Sequence, residues 1–527
     1  MAGAAPCPCP GDGLDLLIRP VLFRVRLLLQ CVRNGKSLER EVKMPVQTIR
    51  NYVGGKWVVS KSKKALDVRN PATNEILARV PLSTREEVSK AVFSAKKAFA
   101  EWRETPPLVR ARYFFKLKNL LEDHFEEISR LLVKENGKTL AEARGSMRRA
   151  IENVEIASGI PSLMMGYSLE NVAKDIDCVA MRQPLGVFAC VTPFNFPAMV
   201  PLWFFPYAVA CGNTFIVKPS EQTPLCQHRI FELMHEVGFP AGVVNLVNGA
   251  KDAVDELLEH PDVCGISFVG SSPVAHYVYS NAAAHGKRVQ ALGGAKNFIV
   301  VMPDANLDTT VSALIDSCFG CAGERCLAGS LIVTVGDVYE AFKEKFLRAA
   351  RKIVLGNGLN EKTTMGPVIS KKHRDKIVAY IDSAVRDGAR LILDGRGIEV
   401  ADCPEGHFVG PTVFEKVKPS MPIAKEEIFG PVVCLMRVKS LEEALGMISQ
   451  SEFGNATSIF TQNGAHAREF AHRVGISMIG INIGVAAPMA FFTFGGAKGS
   501  FFGDLKAHGR DSIEFFTDKR VIISRWV

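Results

Sequence analysis

The chain has little that would tie it to a membrane or a nucleic acid. Beyond its first 43 residues it contains no apolar stretch free of charges that reaches the ~18 residues of a membrane-spanning helix. Its net charge of +9 is spread thinly, without a long Lys/Arg run, so the basic stripe of nucleic-acid-binding proteins is missing. We therefore expect a soluble protein without nucleic-acid partners, whose mild positive excess would favour anionic small molecules.

The chain is also poor in cysteine, with 13 in 527 residues. This odd and small number does not suit a disulfide scaffold and predicts reduced thiols in an intracellular compartment. Cys318, Cys321 and Cys326 form a C-x2-C-x4-C cluster, but no nearby histidine completes a zinc site. We expect no bound metal, and we expect Cys318 and Cys321 to be buried apolar residues on the helix that leads to Cys326.

Residues 1–43 differ in character from the rest. The apolar stretch 14–32 is interrupted by three arginines, each of which would cost about 2.5–3.5 kcal/mol near a bilayer centre. The Arg-rich, amphipathic character is typical of a mitochondrial transit peptide, and favours the mitochondrial matrix over the cytoplasm. Asp12, Asp15 and the scarcity of serine count against this interpretation, and a disordered extension is the alternative.

The body alternates between helical segments and short apolar runs. Helical periodicity covers residues 85–102, 108–135 and 140–157, and apolar runs bounded by Gly or Pro cover 187–191, 214–217, 243–247 and 265–269. This alternation predicts an α/β fold with a parallel sheet and ligand sites at its strand ends. A similar alternation over 298–460 predicts a second α/β unit. Residues 176–182 and 520–525 alternate as strands and predict an appended hairpin and tail.

Cys326 is the strongest candidate nucleophile. It lies in the Gly-rich segment 319–328, directly behind Arg325. Nearby positive charge and backbone N–H groups stabilise a thiolate. A thiolate can attack an aldehyde to form a thiohemiacetal, which can pass a hydride to a nicotinamide and leave a thioester.

Polar residues follow two of the predicted strands. Asn195, next to Phe194 in the segment 192–197, could donate its amide to a developing oxyanion; alone, the segment would suit a turn-capping Asn equally well. Lys218 and Glu221 follow the second strand and could hydrogen-bond ribose hydroxyls or form a surface ion pair.

Two further motifs stand out along the chain. No G-x-G-x-x-G fingerprint occurs in this part of the chain, but Gly270 and Ser271 follow a strand and open a predicted helix, where phosphates bind favourably. Glu427 and Phe429 lie in the distinctive segment 425–432.

These motifs, in this order, resemble those of the aldehyde dehydrogenase superfamily over about residues 48–527. The resemblance implies an aldehyde dehydrogenase-like α/β fold with a substrate tunnel between two domains. Its parts would be an NAD-binding parallel-sheet domain (44–165 and 187–294), a catalytic α/β domain (295–495), and a small β oligomerisation hairpin and tail (166–186 and 505–527). It also implies a homo-oligomer, with a homotetramer favoured.

The same resemblance implies roles for single residues. The Asn195 amide and the Cys326 backbone N–H would form the oxyanion hole. Lys218 and Glu221 would hold the adenosine ribose, and the Glu221 carboxylate would repel a 2′-phosphate, which favours NAD over NADP.

The remaining cofactor contacts are also implied by resemblance. Gly270 and Ser271 would lie under the pyrophosphate. Glu427 would hold the nicotinamide ribose, and Phe429 would pack near the nicotinamide ring. Phe194 would also bind the cofactor.

One expected carboxylate is missing. Hydrolytic members of the superfamily carry a Glu that activates water before the nucleophile, and here the matching position is Ala291 or Leu292. Neither can act as a base, so another nucleophile should release the acyl group. Coenzyme A, a thiol, is the natural candidate as co-substrate.

This departure resembles the CoA-acylating branch that acts on methylmalonate and malonate semialdehyde. An arginine fork suits the carboxylate of such substrates, and Arg325 and Arg149 are the candidates. Arg149 alone could equally belong to a solvated helix face, and Arg325 could mainly lower the pKa of Cys326. Phe298 and Gly484 depart from the branch's usual His and Pro, which leaves details of the CoA step open.

The resemblance implies NAD-dependent oxidative decarboxylation of these semialdehydes to propionyl-CoA and acetyl-CoA, in the catabolism of valine, thymine, β-alanine or inositol. The alternative is a hydrolytic, NAD-dependent aldehyde dehydrogenase acting on another semialdehyde, with Glu324 or Glu427 recruited as the base. A non-enzymatic role is a third hypothesis, and the intact Cys326, Asn195 and Glu427 argue against it.

Overall fold

The structure is a computed structural model that describes residues 46–527. The predicted transit peptide or disordered extension, residues 1–43, lies outside the described residues. The strands, numbered along the chain, are β1 Asn51–Val53, β2 Lys56–Val58, β3 Ala65–Arg69, β4 Ile76–Pro81, β5 Tyr167–Ala173, β6 Ile176–Pro184, β7 Val187–Val191, β8 Thr214–Lys218, β9 Val244–Leu246, β10 Val263–Val269, β11 Arg288–Leu292, β12 Asn297–Val301, β13 Gly329–Val335, β14 Arg390–Leu393, β15 Thr412–Glu415, β16 Val432–Val438, β17 Ala456–Phe460, β18 Met478–Ile481, β19 Phe501–Gly503 and β20 Thr517–Arg525.

The helices complete the architecture. They are α1 Arg85–Trp102, α2 Pro107–Asp123, α3 Phe125–Asn136, α4 Leu140–Ser158, α5 Ile160–Leu163, α6 Met199–Leu202, α7 Phe205–Ala210, α8 Leu225–Val237, α9 Lys251–Glu259, α10 Ser272–Ala284, α11 Leu307–Phe319, α12 Tyr339–Ala350, α13 Lys371–Arg386, α14 Pro422–Lys425, α15 Leu441–Ser449, α16 Gly464–Arg473 and α17 Gly509–Phe516. Within residues 46–527, none of these helices is long and apolar enough to cross a lipid bilayer.

Two large sheets organise the chain. The first has the order β19-β11-β10-β7-β8-β9-β1-β2, and its central strands from β11 to β9 run parallel. The second has the order β14-β15-β16-β13-β12-β17-β18 and is parallel apart from β14. Strands β7 and β8 are buried along their whole length, as expected where helices cover both faces of a sheet. The α/β prediction is confirmed.

A small antiparallel sheet stands apart from these two. It has the order β20-β6-β5, with Arg520 opposite Met181. The residues predicted as hairpin and tail therefore pair with each other within one chain. Every residue of β5 is exposed, so one edge of this sheet is left without a neighbour in the described structure.

The predicted helix over 108–135 is two helices. α2 ends and α3 begins around His124, whose backbone (φ −102°, ψ 15°) belongs to neither. The other two predicted helices agree with α1 and α4. Cys318 is buried on α11 as predicted, but Cys321 is not on that helix, because α11 ends at Phe319 and Cys321 (φ 51°) lies in the turn that follows.

Candidate active site

The turn that carries the candidate nucleophile is tightly constrained. Cys321 and Ala322 both have left-handed backbones, with φ of 51° and 52°, a conformation that costs free energy for residues other than glycine. The Glu142 carboxylate of α4 accepts a 2.5 Å hydrogen bond from the Cys321 N–H. Gly323 is required because an added Cβ would lie 2.2 Å from the Gly430 carbonyl oxygen. The turn is therefore held by contacts with two distant segments.

Cys326 follows this turn and is fixed through its backbone. Its carbonyl accepts hydrogen bonds from the side-chain amides of Asn297 (2.9 Å) and Asn455 (2.8 Å). Burial and the nearby Glu427 carboxylate raise the pKa of the Cys326 thiol to about 12. The Arg325 guanidinium lowers the pKa of this thiol, but by less than burial and Glu427 raise it. In this state the nucleophile is a protonated thiol at neutral pH, and catalysis requires that it lose its proton.

Asn195 reaches the nucleophile turn from the end of β7. It is 5% exposed, and its Nδ2 donates to the Glu324 carbonyl over 2.9 Å. An amide nitrogen carries two N–H donors, so one remains available for an oxyanion beside Cys326. The arrangement suits the predicted role of Asn195.

Two residues that sequence reasoning missed hold this segment in place. Lys138 donates from Nζ to the Asn195 carbonyl over 2.6 Å, and its ammonium lies 3.9 Å from the centre of the Phe196 ring. Asn136 donates from Nδ2 to the Phe194 carbonyl over 3.1 Å. We call Asn136, Lys138, Phe194, Asn195 and Glu324 the oxyanion wall.

The Lys138 ammonium is buried, and burial lowers its pKa. Its charge is partly balanced by the carboxylate of Glu142, the residue that also holds Cys321. The helix end at Gly137 and the Thr139–Glu142 capping box can both be recognised from the sequence. They mark where α3 stops and α4 starts, but they do not indicate that the residues between them support an active site.

Lys218 and Glu221 lie together at the end of β8, with 3.0 Å between Nζ and Oε2. Burial would raise the pKa of Glu221, but the Lys218 ammonium and a backbone hydrogen bond together hold that pKa below its ordinary value. The pair therefore presents a charged carboxylate and an ammonium with unused donors. Both groups suit ribose hydroxyls.

The start of α10 has the features of a phosphate site. Ser271 is its N-cap residue and makes no side-chain capping bond. An added Cβ on Gly270 would lie 2.5 Å from the Phe268 ring. The free N–H groups at a helix start favour an anion such as a pyrophosphate.

Glu427 lies close to both Cys326 and the segment after β11, and Phe429 follows two residues later. The Glu427 Oε1 accepts from the Ala295 N–H over 2.8 Å, and burial raises the pKa of this carboxyl to about 7. Phe429 has a φ of 60° and packs edge-on against Phe194, with 5.9 Å between ring centres. The structure thus brings three predicted cofactor residues to one side of the thiol.

On the other side of Cys326 lies a cavity of about 500 Å³, which we call the substrate cavity. Arg149 and Arg325 both line it. Arg149 donates to Glu152 over 2.9 Å and keeps about a third of its side chain exposed.

Arg325 is tied more closely to its own chain. Its Nε donates to the Cys321 Sγ over 3.3 Å, and its other nitrogens pair with Glu142 (3.5 Å) and Asp316 (3.4 Å). Two carboxylates therefore already balance its charge. Of the two predicted arginines, Arg149 has more freedom to bind a substrate carboxylate.

The positions that matched the missing base are apolar and buried. Ala291 and Leu292 end strand β11 and are at most 3% exposed. Glu324, one of the two alternatives, is buried with a strongly raised pKa and accepts from the Ile369 N–H over 3.1 Å. Glu427 is the alternative whose pKa lies near neutrality.

Among residues 46–527 no group of three or more His, Cys, Asp or Glu side chains is arranged to hold a metal.

Known proteins share this architecture. The model of the "Aldehyde dehydrogenase family" matches residues 57–522. Malonate-semialdehyde dehydrogenase 2 of Geobacillus kaustophilus is 51% identical over 481 residues, which cover 91% of this chain and 99% of the relative.

Solved structures agree with this result. The methylmalonate-semialdehyde dehydrogenase of Oceanimonas doudoroffii has a TM-score of 0.90 and 45% identity, and covers 92% of this chain and 99% of its own. A structure from Sinorhizobium meliloti in complex with NAD has a TM-score of 0.90 and 44% identity, with the same coverage.

Proposed function

The chain belongs to the aldehyde dehydrogenase family, and we propose that it oxidises malonate and methylmalonate semialdehyde with NAD and passes the acyl group to coenzyme A. Relatives about half identical over nearly the whole described chain carry these semialdehydes in their names. The observation that carries the proposal is the substrate cavity. Arg149, Arg325 and Cys326 all line this cavity. The end of strand β11, where hydrolytic members of the family would carry the base, is apolar.

The residues present fit NAD. Lys218 and Glu221 offer a donor set and an acceptor for ribose hydroxyls, α10 offers free N–H groups, and Glu427 lies nearer the thiol. NAD, when bound, supplies the hydride acceptor. A relative of this fold is solved with NAD bound, and the charged Glu221 favours NAD over NADP because it would repel a 2′-phosphate.

In the proposed reaction, the Cys326 sulfur bonds to the aldehyde carbon while the thiol proton leaves. The carbonyl oxygen becomes an oxyanion, which accepts hydrogen bonds from the free Asn195 Nδ2–H and the Cys326 N–H. Loss of a hydride leaves a thioester on Cys326. Arg149 holds the carboxylate until its bond to the α-carbon breaks and CO2 leaves, and the electron pair left on that carbon takes up a proton from solvent. The CoA sulfur then bonds to the acyl carbon as the bond to the Cys326 sulfur breaks, which gives acetyl-CoA or propionyl-CoA while the CoA thiol proton passes to Cys326.

The test is NADH formation from malonate semialdehyde in a stopped-flow instrument, with and without CoA. We expect a burst of about one NADH per Cys326, followed by slow turnover until CoA is added, because a thioester without a base accumulates. Cys326→Ser is the matched control and should show no burst. Full steady turnover to the free acid without CoA would contradict the CoA step.

That contrary outcome would favour the hydrolytic alternative. The observation behind it is Glu427, a buried carboxyl whose pKa is raised to about 7 and which therefore suits a general base. Glu427→Gln would then abolish the CoA-independent turnover.

We also propose that the chain forms a homo-oligomer, with a homotetramer expected. The support is the small sheet β20-β6-β5, which together with the following Trp526 exposes many apolar side chains: Tyr167, Leu169, Val172, Val179, Met181, Val521, Ile522, Ile523 and Trp526. Exposed edges and apolar patches of this kind mark interfaces. Sedimentation of the wild type and of Ile523→Lys tests this, since the charge should dissociate the assembly. The mitochondrial location stays a prediction from residues 1–43.

A further inference from the structure

His508 is a buried histidine whose ring has no hydrogen-bond partner in the part of the chain that the structure describes. It immediately precedes α17 and is 3% exposed, with a φ of 69° that few residues other than glycine adopt. Within residues 46–527, neither of its ring nitrogens has a hydrogen-bond partner. Buried polar atoms are nearly always paired, so such an exception calls for an explanation.

The surroundings of His508 are aromatic on two sides. Its ring lies edge-on to Trp203, with 4.9 Å between ring centres, and 5.5 Å from the Phe494 ring. Burial lowers the pKa of His508 to about 3, and the nearby Arg149 guanidinium contributes. The imidazole is therefore neutral, and it carries one N–H donor and one acceptor.

The unpartnered ring belongs to the wall of the substrate cavity, which also includes Arg149 and Cys326. A carboxylate has about four acceptor sites, and an arginine fork occupies two of them. A neutral imidazole beside that arginine can fill a third from another direction, and it adds no second positive charge. A carboxylate held here would also satisfy one of the two ring nitrogens that have no hydrogen-bond partner within residues 46–527.

We propose that His508 is a specificity-determining residue that donates a hydrogen bond to the substrate carboxylate held by Arg149. This inference rests on the proposed function, because it names a second contact for the same carboxylate. It predicts that His508 selects for semialdehydes over plain aldehydes and leaves the chemistry at Cys326 unchanged.

The experiment compares kcat/KM for malonate semialdehyde with kcat/KM for propanal, which lacks the carboxylate, in the full-length enzyme with NAD and CoA. His508→Phe should lower the ratio by about 10-fold or more, the usual cost of a lost hydrogen bond to a charged group. Propanal oxidation should change little. His508→Asn keeps an N–H donor and should retain most of the selectivity.

His407→Phe is the matched control. His407 is also a buried histidine, 7% exposed, but it does not line the substrate cavity, so its replacement should leave the ratio unchanged. A second readout needs no turnover. Malonate binding, followed by the fluorescence of Trp203 beside His508, should weaken by a similar factor in His508→Phe.

The two proposals fail in different ways. A wild type that oxidises propanal but not malonate semialdehyde would contradict the proposed function. A folded His508→Phe enzyme with unchanged selectivity and unchanged malonate affinity would contradict only the role of His508. If His508→Phe does not fold, His508→Leu serves for the same comparison.

Discussion

Two regions meet at Cys326, and their polar groups are satisfied to different degrees. In the oxyanion wall, Lys138 and Asn136 donate to the carbonyls of Asn195 and Phe194. In the substrate cavity, the His508 ring has no hydrogen-bond partner among the described residues, and Arg149 is paired with Glu152 but partly exposed. The supporting hydrogen bonds of the first region are in place without substrate, whereas the second region, as proposed, gains its contacts from the substrate carboxylate.

The difference follows from what each region must do. Oxyanion stabilisation depends on donors that are already in position when charge develops, because reorganising them during the reaction costs free energy. Selection among substrates depends instead on groups that are left unpaired when the wrong substrate binds. A rigid wall on one side and unsatisfied donors on the other serve these two requirements.

The largest effect is expected from removing the oxyanion donor. Asn195→Ala should slow the NADH burst by about 10²–10³-fold, because one donor to the oxyanion is lost. Alkylation of Cys326 by iodoacetamide forms no oxyanion and should change little. An equal loss in both reactions would mean that Asn195 supports the thiol and not the oxyanion.

A smaller effect is expected from Lys138, which acts through Asn195. Lys138→Met keeps the length of the side chain but removes the 2.6 Å bond to the Asn195 carbonyl. We expect the burst to slow by about 10–100-fold, because misplaced catalytic groups lose rate, while KM stays near the wild-type value.

Lys134→Met is the control for this variant, because Lys134 is exposed on α3, the helix that ends just before Lys138. Its burst should match that of the wild type. A Lys138→Met enzyme with a lower Tm but an unchanged burst would show that Lys138 is only structural.

The sequence predicts part of the fold and part of each region. The strands β7, β8 and β10 are short apolar runs bounded by Gly or Pro, and the polar residues after them could be found because strand ends collect functional groups. The break at His124 could not be found, because neither proline nor glycine marks it.

Lys138 and His508 were missed for a different reason. Lys138 matters because its ammonium meets a carbonyl 57 residues away, and no local pattern encodes that meeting. His508 stands out because its ring has no hydrogen-bond partner among the described residues and because it lines the substrate cavity. Both are properties of the folded chain. Periodicity and motif spacing describe neighbours along the sequence, so contacts of this kind escape them.

The smallest effect is expected on a third side of the thiol, at Glu427. Its charge adds to burial in raising the pKa of Cys326, so Glu427→Gln should lower that pKa. Thiolate would then be more abundant at a given pH, and alkylation by iodoacetamide at pH 8 should accelerate several-fold. The pH profile of alkylation should move toward lower pH.

The pKa of Glu427 itself sets the pH range over which its replacement changes the alkylation rate. Because burial raises it to about 7, the carboxyl is charged mainly above that pH, and the wild type and variant should converge below it. Glu426→Gln is the control, since Glu426 is exposed and bonds to Tyr380. A Glu427→Gln profile that stays in place or moves upward would mean that burial alone keeps Cys326 protonated.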